Sequence, residues 1–118
     1  MAFDPCLLLS LSSALSEDTN YEDESKYRTS ISRAYYAAFL VARSYLESAG
    51  YNFPLDSNVH KKVIDYMKDK NSFISNLLFN LRDRRNNADY NLDAQIKKGI
   101  TISSIKSAQM VIDEIRKL

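Results

Sequence analysis

The sequence contains few of the residues that interrupt helices, form disulfides or bind metal ions. Its 118 residues include two glycines, two prolines, one cysteine, one histidine and no tryptophan. A lone cysteine, Cys6, cannot form an internal disulfide, which is consistent with a reducing cytosol. One histidine and one cysteine exclude a metal site built from several of them, and glycine-rich phosphate loops are also missing. We therefore expect neither a bound metal nor a cofactor.

Long apolar stretches and a targeting segment are missing as well. No uninterrupted apolar run approaches the ~20 residues needed to cross a bilayer. The amino terminus begins acidic and lacks the basic region that opens a signal peptide. These features predict a soluble, cytoplasmic protein that does not associate with membranes.

Charges of both signs are present but unevenly distributed. The formal net charge is +1, yet residues 1–25 carry six acids and no base, while residues 26–81 have a net charge of +4 and residues 82–118 one of +3. This mild basic bias of the body falls short of a nucleic-acid-binding signature. The length fits one domain spanning residues 1–118.

Apolar residues at helical spacing cover most of the chain, which predicts an all-α protein of about five helices. The first helix should run from Cys6 to about Ser16, with one apolar face made of Leu7, Leu8, Leu11 and Leu15. The other four are expected at about Ser25 to Ala49, Asp56 or Ser57 to about Lys70, Asn71–Ser72 up to Asn91, and about Ser103 to Lys117.

The second helix is apolar on two sides. One stripe is continuous and rich in alanine, while Tyr36 and Leu40 point away from it, with Phe39 on its flank and Arg33 nearby. A helix of this kind is either central in its bundle or shared with another subunit.

Arg85 falls in the middle of the apolar stripe of the fourth helix, where an unpaired charge is costly. Asp89, four residues later, is placed to pair with it on the same face. The alternative is that Arg85 lines a cleft and binds an anionic group. We favour the cleft, because Arg82, Arg84 and Asn86 beside it make a larger anion-binding surface than one ion pair requires.

His60 is the only histidine and lies on the edge of the apolar face of the third helix. A lone histidine so placed is usually a hydrogen-bonded structural residue. That interpretation is our expectation for it, and a functional role is the alternative.

Two segments of the chain form a recognisable pair, with His60 opening the helix between them. They are Ser32-Arg33-Ala34-Tyr35-Tyr36-Ala37-Ala38-Phe39 and Arg85-Asn86-Asn87-Ala88-Asp89-Tyr90. Together they resemble the HEPN family (higher eukaryotes and prokaryotes nucleotide-binding), in particular its small stand-alone prokaryotic members. The resemblance implies an up-and-down helical bundle that forms a homodimer and brings two arginine motifs to one cleft. It also implies a metal-independent ribonuclease, or a toxin paired with a minimal nucleotidyltransferase as antitoxin.

The sequence departs from the catalytic pattern of the family, which has a histidine several residues after the arginine. Arg85 and Asn86 match the start of the motif, but Tyr90 stands at the histidine position, and no histidine follows Arg85. A phenol with a pKa near ~10 is a poor base at neutral pH. His60 could supply an imidazole only if its helix packs beside the fourth.

Two functions of different class therefore remain open. One is a HEPN module of toxin–antitoxin type directed at RNA or nucleotides, with Arg85, Tyr90 and His60 as candidate catalytic residues. The other is a non-catalytic dimeric module that binds a nucleotide, RNA or a protein. We favour the first for biological role, with RNA cleavage unresolved. The candidate ligand-binding residues are Arg82, Arg84, Asn86, Asp89, Arg33 and Tyr36.

Overall fold

The computed structural model describes residues 2–118, which form five α-helices and no strand. The helices are α1 (Cys6–Glu17), α2 (Asp23–Ser48), α3 (Val59–Lys70), α4 (Ser72–Tyr90) and α5 (Lys98–Arg116). This architecture confirms the predicted all-α fold of five helices. Within residues 2–118, none of the helices combines the length and the apolarity that a membrane span requires.

The long helix α2 is the centre of the bundle and packs against each of the other four helices. Its start is stabilised by the Glu22 carboxylate, which accepts hydrogen bonds from the backbone N–H groups of Glu24 and Ser25 at 3.0 and 2.8 Å. It ends before Gly50, whose φ of 101° lies in the left-handed region that glycine adopts without strain.

The predicted alanine-rich stripe of α2 is in the core. Its fully buried members are Ile31, Ala34, Tyr35, Ala38, Ala42 and Leu46. The second apolar side is covered in part by α3, because the Phe39 ring stacks on His60 with ring centroids 4.3 Å apart. Tyr36 and Leu40 on that side remain partly exposed.

The predicted apolar face of α1 is wrong at Leu7 and Leu11, whereas its other two members, Leu8 and Leu15, are partly buried. Leu7 and Leu11 are 56% and 54% exposed, whereas Leu9, Ser12 and Ser16 face the bundle. Ser12 is fully buried because its hydroxyl donates to the Ser30 carbonyl of α2 at 2.6 Å, which satisfies the polar group. Ser12 and Ser16 therefore take positions on the inward face of α1, while Leu7 and Leu11 lie on its solvent side.

Helix α5 begins at Lys98, five residues before the predicted start at Ser103. The extra turn is held because Thr101 and Ser104 are fully buried and continue the inward stripe of Ala108 and Val111. Their hydroxyls donate to backbone carbonyls four residues earlier, at 3.1 and 2.7 Å, so that burial leaves no unpaired group. Because these inward residues are polar, a search for apolar residues at helical spacing does not detect the first turn of α5.

The connection between α4 and α5 is held by Arg28 of α2. Its guanidinium donates to the carbonyls of Ala88, Asn91 and Ala94 at 3.0, 3.0 and 2.6 Å. Glu24 pairs with Arg28 at 3.0 Å and also accepts from the backbone N–H of Ile96 at 3.3 Å. Arg28 thereby satisfies carbonyls that the end of a helix leaves without partners, and it fixes the carboxyl-terminal end of α4.

Candidate functional site

Arg85 extends the buried stripe of α4 and forms the centre of a polar cluster between α2 and α4. The preceding stripe residues Ile74, Leu78 and Leu81 are fully buried, and the Arg85 side chain is only 12% exposed. Its Nε donates to Asp89 Oδ2 at 3.0 Å, so the ion pair that we had weighed against an anion-binding cleft is present. Asp89 also accepts from the Ser32 hydroxyl of α2 at 3.1 Å.

The remaining donors of Arg85 bind two tyrosines and an amide. Nη2 donates to the Tyr36 hydroxyl at 2.7 Å and, at 3.4 Å, to the Tyr90 hydroxyl, while Nη1 donates to Asn86 Oδ1 at 3.1 Å. The Tyr36 and Tyr90 ring centroids lie 5.1 and 5.3 Å from Arg85 Cζ, within cation–π range. The guanidinium is therefore held in one orientation by groups from two helices.

Two further arginines flank this centre. Arg33 Nη2 donates to the Ser32 hydroxyl at 3.2 Å, and its Cζ lies 4.9 Å from the Tyr36 ring centroid. Arg82 lies one turn before Arg85 on α4 and is partly buried. Within residues 2–118, neither Arg33 nor Arg82 has a carboxylate within 4 Å, so Asp89 is the only carboxylate paired with these three guanidinium groups. The cluster carries excess positive charge and is suited to bind an anion such as a phosphate.

His60 borders the same cluster. Its helix, α3, packs beside α4, which is the arrangement that a catalytic role of His60 would require. Its ring centroid is 5.9 Å from that of Tyr36, and its Nδ1 lies 2.6 Å from the Tyr35 hydroxyl. Burial lowers the pKa of His60, and the cations Arg82, Arg85 and Arg43 lower it further. Burial also raises the pKa of the Tyr35 phenol. Both groups are therefore neutral at pH 7.

The structure brings together most of the residues predicted for the site and places one elsewhere. Arg85 contacts four of them, which are Tyr36, Asn86, Asp89 and Tyr90. A fifth, Arg33, contacts the Tyr36 ring. Arg84 instead points towards α5, with Nη1 3.4 and 3.5 Å from the hydroxyls of Ser103 and Ser104.

Sequence reasoning missed two contributors to the site, Ser32 and Tyr35. Ser32 is a short polar residue within an apolar helix face, a signal that could have found it. Tyr35 belongs to the buried stripe of α2, but its hydrogen bond to His60 joins residues 25 positions apart, and no local pattern indicates that bond. Among residues 2–118 no group of three or more metal-ligating side chains occurs.

The chain is similar in sequence to known proteins. The model of the HEPN domain matches residues 13–118 of the chain. The chain is also 30% identical to an uncharacterized protein of Methanocaldococcus jannaschii, in an alignment that covers 94% of this chain and 73% of that protein.

Proposed function

The chain belongs to the HEPN family, and we propose that it is a dimeric HEPN module that binds RNA through the Arg85 cluster and acts as the toxin of a toxin–antitoxin pair. Membership supports a module related to nucleotides or RNA in general. The observation that carries the proposal is the ratio of charges, three guanidinium groups to one paired carboxylate. Tyrosine rings beside these cations add faces on which bases can stack.

Binding is tested with a fluorescent single-stranded RNA at several salt concentrations. Arg33→Gln and Arg82→Gln each remove a cation of the cluster that has no carboxylate partner among residues 2–118, and Arg84→Gln is the matched control on the far side of α4. Each cluster variant should weaken binding about tenfold and lower the salt slope by about one, as expected for a lost phosphate contact. Equal effects in all three variants would show that only net charge matters.

The homodimer is supported by apolar side chains of α2 and α4 that one copy leaves exposed. Phe79 and Tyr90 of α4 are 63% and 70% exposed, and Leu40 of α2 is partly exposed. Light scattering at micromolar concentration should give twice the 13.5 kDa of one chain. Leu40→Glu should shift the protein to monomer if this face is shared, because it would bury an unpaired carboxylate. A wild-type monomer refutes the dimer.

A second function, a non-catalytic binding module, is favoured by the absence of any histidine after Arg85. The two functions differ in one assay, incubation of RNA with the protein in excess chelator. A metal-independent ribonuclease would cleave under these conditions and lose activity in Arg85→Ala, because Arg85 supports the charge that develops on the phosphate. Binding without cleavage supports the second function.

The toxin role and its antitoxin are tested in cells. Expression of the chain alone should slow growth, and co-expression with a minimal nucleotidyltransferase encoded beside it should restore growth. A chain that binds RNA without affecting growth would retain the binding proposal and refute the toxin role.

A further inference from the structure

The hydrogen bond between Tyr35 and His60 determines which nitrogen of the imidazole carries the proton. Tyr35 is fully buried, and its hydroxyl has one partner within residues 2–118, the Nδ1 atom of His60 at 2.6 Å. If Nδ1 carried the proton and donated it to the phenol oxygen, the phenol proton would be buried without an acceptor, at a cost of about 1–3 kcal/mol. The phenol must therefore donate, and Nδ1 must accept.

A neutral imidazole whose Nδ1 accepts a hydrogen bond carries its proton on Nε2. Nε2 makes no hydrogen bond to residues 2–118. Among these residues, Ser30 Oγ is the one buried side-chain polar atom without a partner, so Nε2 is not a buried atom. It is therefore accessible to solvent. The Nε2–H group of His60 can therefore donate to solvent or to a ligand, whereas the Nδ1 lone pair already accepts from the Tyr35 hydroxyl.

Three guanidinium groups act on the imidazole of His60. They come from two helices, Arg43 from α2 and Arg82 and Arg85 from α4, and each lowers the pKa of the imidazole. Of these, Arg43 is paired with Glu47 at 3.1 Å, whereas Arg82 has no carboxylate partner among the described residues. The neutral Nε2–H donor of His60 and the guanidinium groups of Arg82 and Arg85 together favour an anionic acceptor.

We infer that Tyr35 holds His60 as the neutral Nε2–H tautomer, and that this N–H donates to a phosphate oxygen of the ligand beside Arg82 and Arg85. His60 is then a binding residue and not a proton acceptor, and Tyr35 is a positioning residue. That the phosphate belongs to RNA rests on the proposed function. The donor contact helps to position the phosphate, which is the general role of contacts to phosphate oxygens.

The tautomer is measured directly, because a chain with one histidine gives a single pair of ring signals after ¹⁵N-histidine labelling. A long-range ¹H–¹⁵N spectrum of the free protein should show Nε2 protonated and Nδ1 unprotonated at pH 7.5. Tyr35→Phe removes the phenol and should give a mixture of the two tautomers. A proton on Nδ1 in the wild type, or no change in Tyr35→Phe, overturns the inference.

Ligand contact is measured by titrating the labelled protein with inorganic phosphate and, separately, with a single-stranded RNA that lacks the reactive 2′-hydroxyl at its central position. Either probe should shift the Nε2 signal. His60→Gln keeps a donor and should bind the RNA within about threefold of wild type, whereas His60→Phe keeps the ring packing on Phe39 and should lose about tenfold, as for a hydrogen bond to a charged group.

The outcomes separate this inference from the proposed function. A shift with phosphate but no RNA binding retains the donor role of His60 and refutes the RNA proposal. RNA binding that is equal in wild type, His60→Gln and His60→Phe refutes the donor role and leaves the RNA proposal standing. RNA cleavage that becomes faster as His60 loses its proton, and that His60→Gln and His60→Phe both abolish, would show that His60 is a proton acceptor. That result overturns the inference. No shift with either probe also overturns it.

Discussion

The ion pair between Arg85 and Asp89 should contribute to folding and to binding in separable amounts. The side chains are 12% and 24% exposed and their charged atoms are 3.0 Å apart. An exposed pair contributes about 0–1 kcal/mol, and breaking a fully buried pair costs about 3–5 kcal/mol. This pair lies between these limits, because the remaining partner can regain some water and Asp89 keeps the Ser32 hydroxyl.

We therefore expect Arg85→Met and Asp89→Asn each to lower the free energy of unfolding by about 2 kcal/mol, with a coupling energy of about 1 kcal/mol between them. Methionine keeps most of the aliphatic stem of Arg85, and asparagine keeps the shape of Asp89, so packing changes little. For a chain of this length, about 2 kcal/mol corresponds to a fall of about 8 °C in Tm.

The assay is a double-mutant cycle by urea unfolding, with RNA binding measured on the same four proteins. Arg85→Met should lose both stability and binding, because a cation of the anion site is removed. Asp89→Asn should lose stability yet bind RNA as well as wild type or better, since a negative charge is removed. Additivity within about 0.3 kcal/mol would refute the pair as a stabilising contact. Equal loss of binding in both variants would refute the separation of the two roles.

Three further outcomes are expected. Arg28→Ala should lower the free energy of unfolding by about 2–3 kcal/mol, because it leaves carbonyls at the end of α4 unpaired, whereas the surface control Lys61→Ala, tested in the same urea series, should change it by under about 0.5 kcal/mol. Ser30→Ala should raise stability by about 1 kcal/mol, measured as a higher urea midpoint, since the Ser30 hydroxyl is buried without a partner among the described residues. Because the pKa of His60 is lowered on folding, the unfolded chain takes up a proton first as the pH falls below about 6.5. Stability should then decline with acidification down to the folded pKa, and His60→Gln should flatten that part of the pH profile.

The helices, and the face that most of them bury, could be predicted from the sequence alone. Periodicity places Ile74, Leu78 and Leu81 on one stripe and extends it to Arg85, so an Arg–Asp pair four residues apart follows from helix geometry. The structure shows that pair at 3.0 Å. Each of the two motifs that carry the family resemblance is also a short continuous segment. The family match over residues 13–118 confirms the resemblance.

The orientation of α1 could not be predicted in this way. Its leucines surround much of the helix, and apolar spacing alone selects a buried face made of Leu7, Leu8, Leu11 and Leu15. The choice depends on the surface of α2, where the Ser30 carbonyl accepts from Ser12. The orientation of a helix with several apolar faces is set by its partner, so only tertiary structure decided it.

The same reason applies to the contacts that define the site. Arg28 binds carbonyls about 60 residues away, and Tyr35 binds His60 across two helices. Sequence determined that Arg85 and Asp89 share a face, because both lie on one helix. The packing of α2 against α4 decided that Tyr36 orients Arg85, and the packing of α2 against α3 decided that Tyr35 binds Nδ1 of His60. Only tertiary structure could decide both contacts, because hydrogen bonds between helices depend on their relative placement.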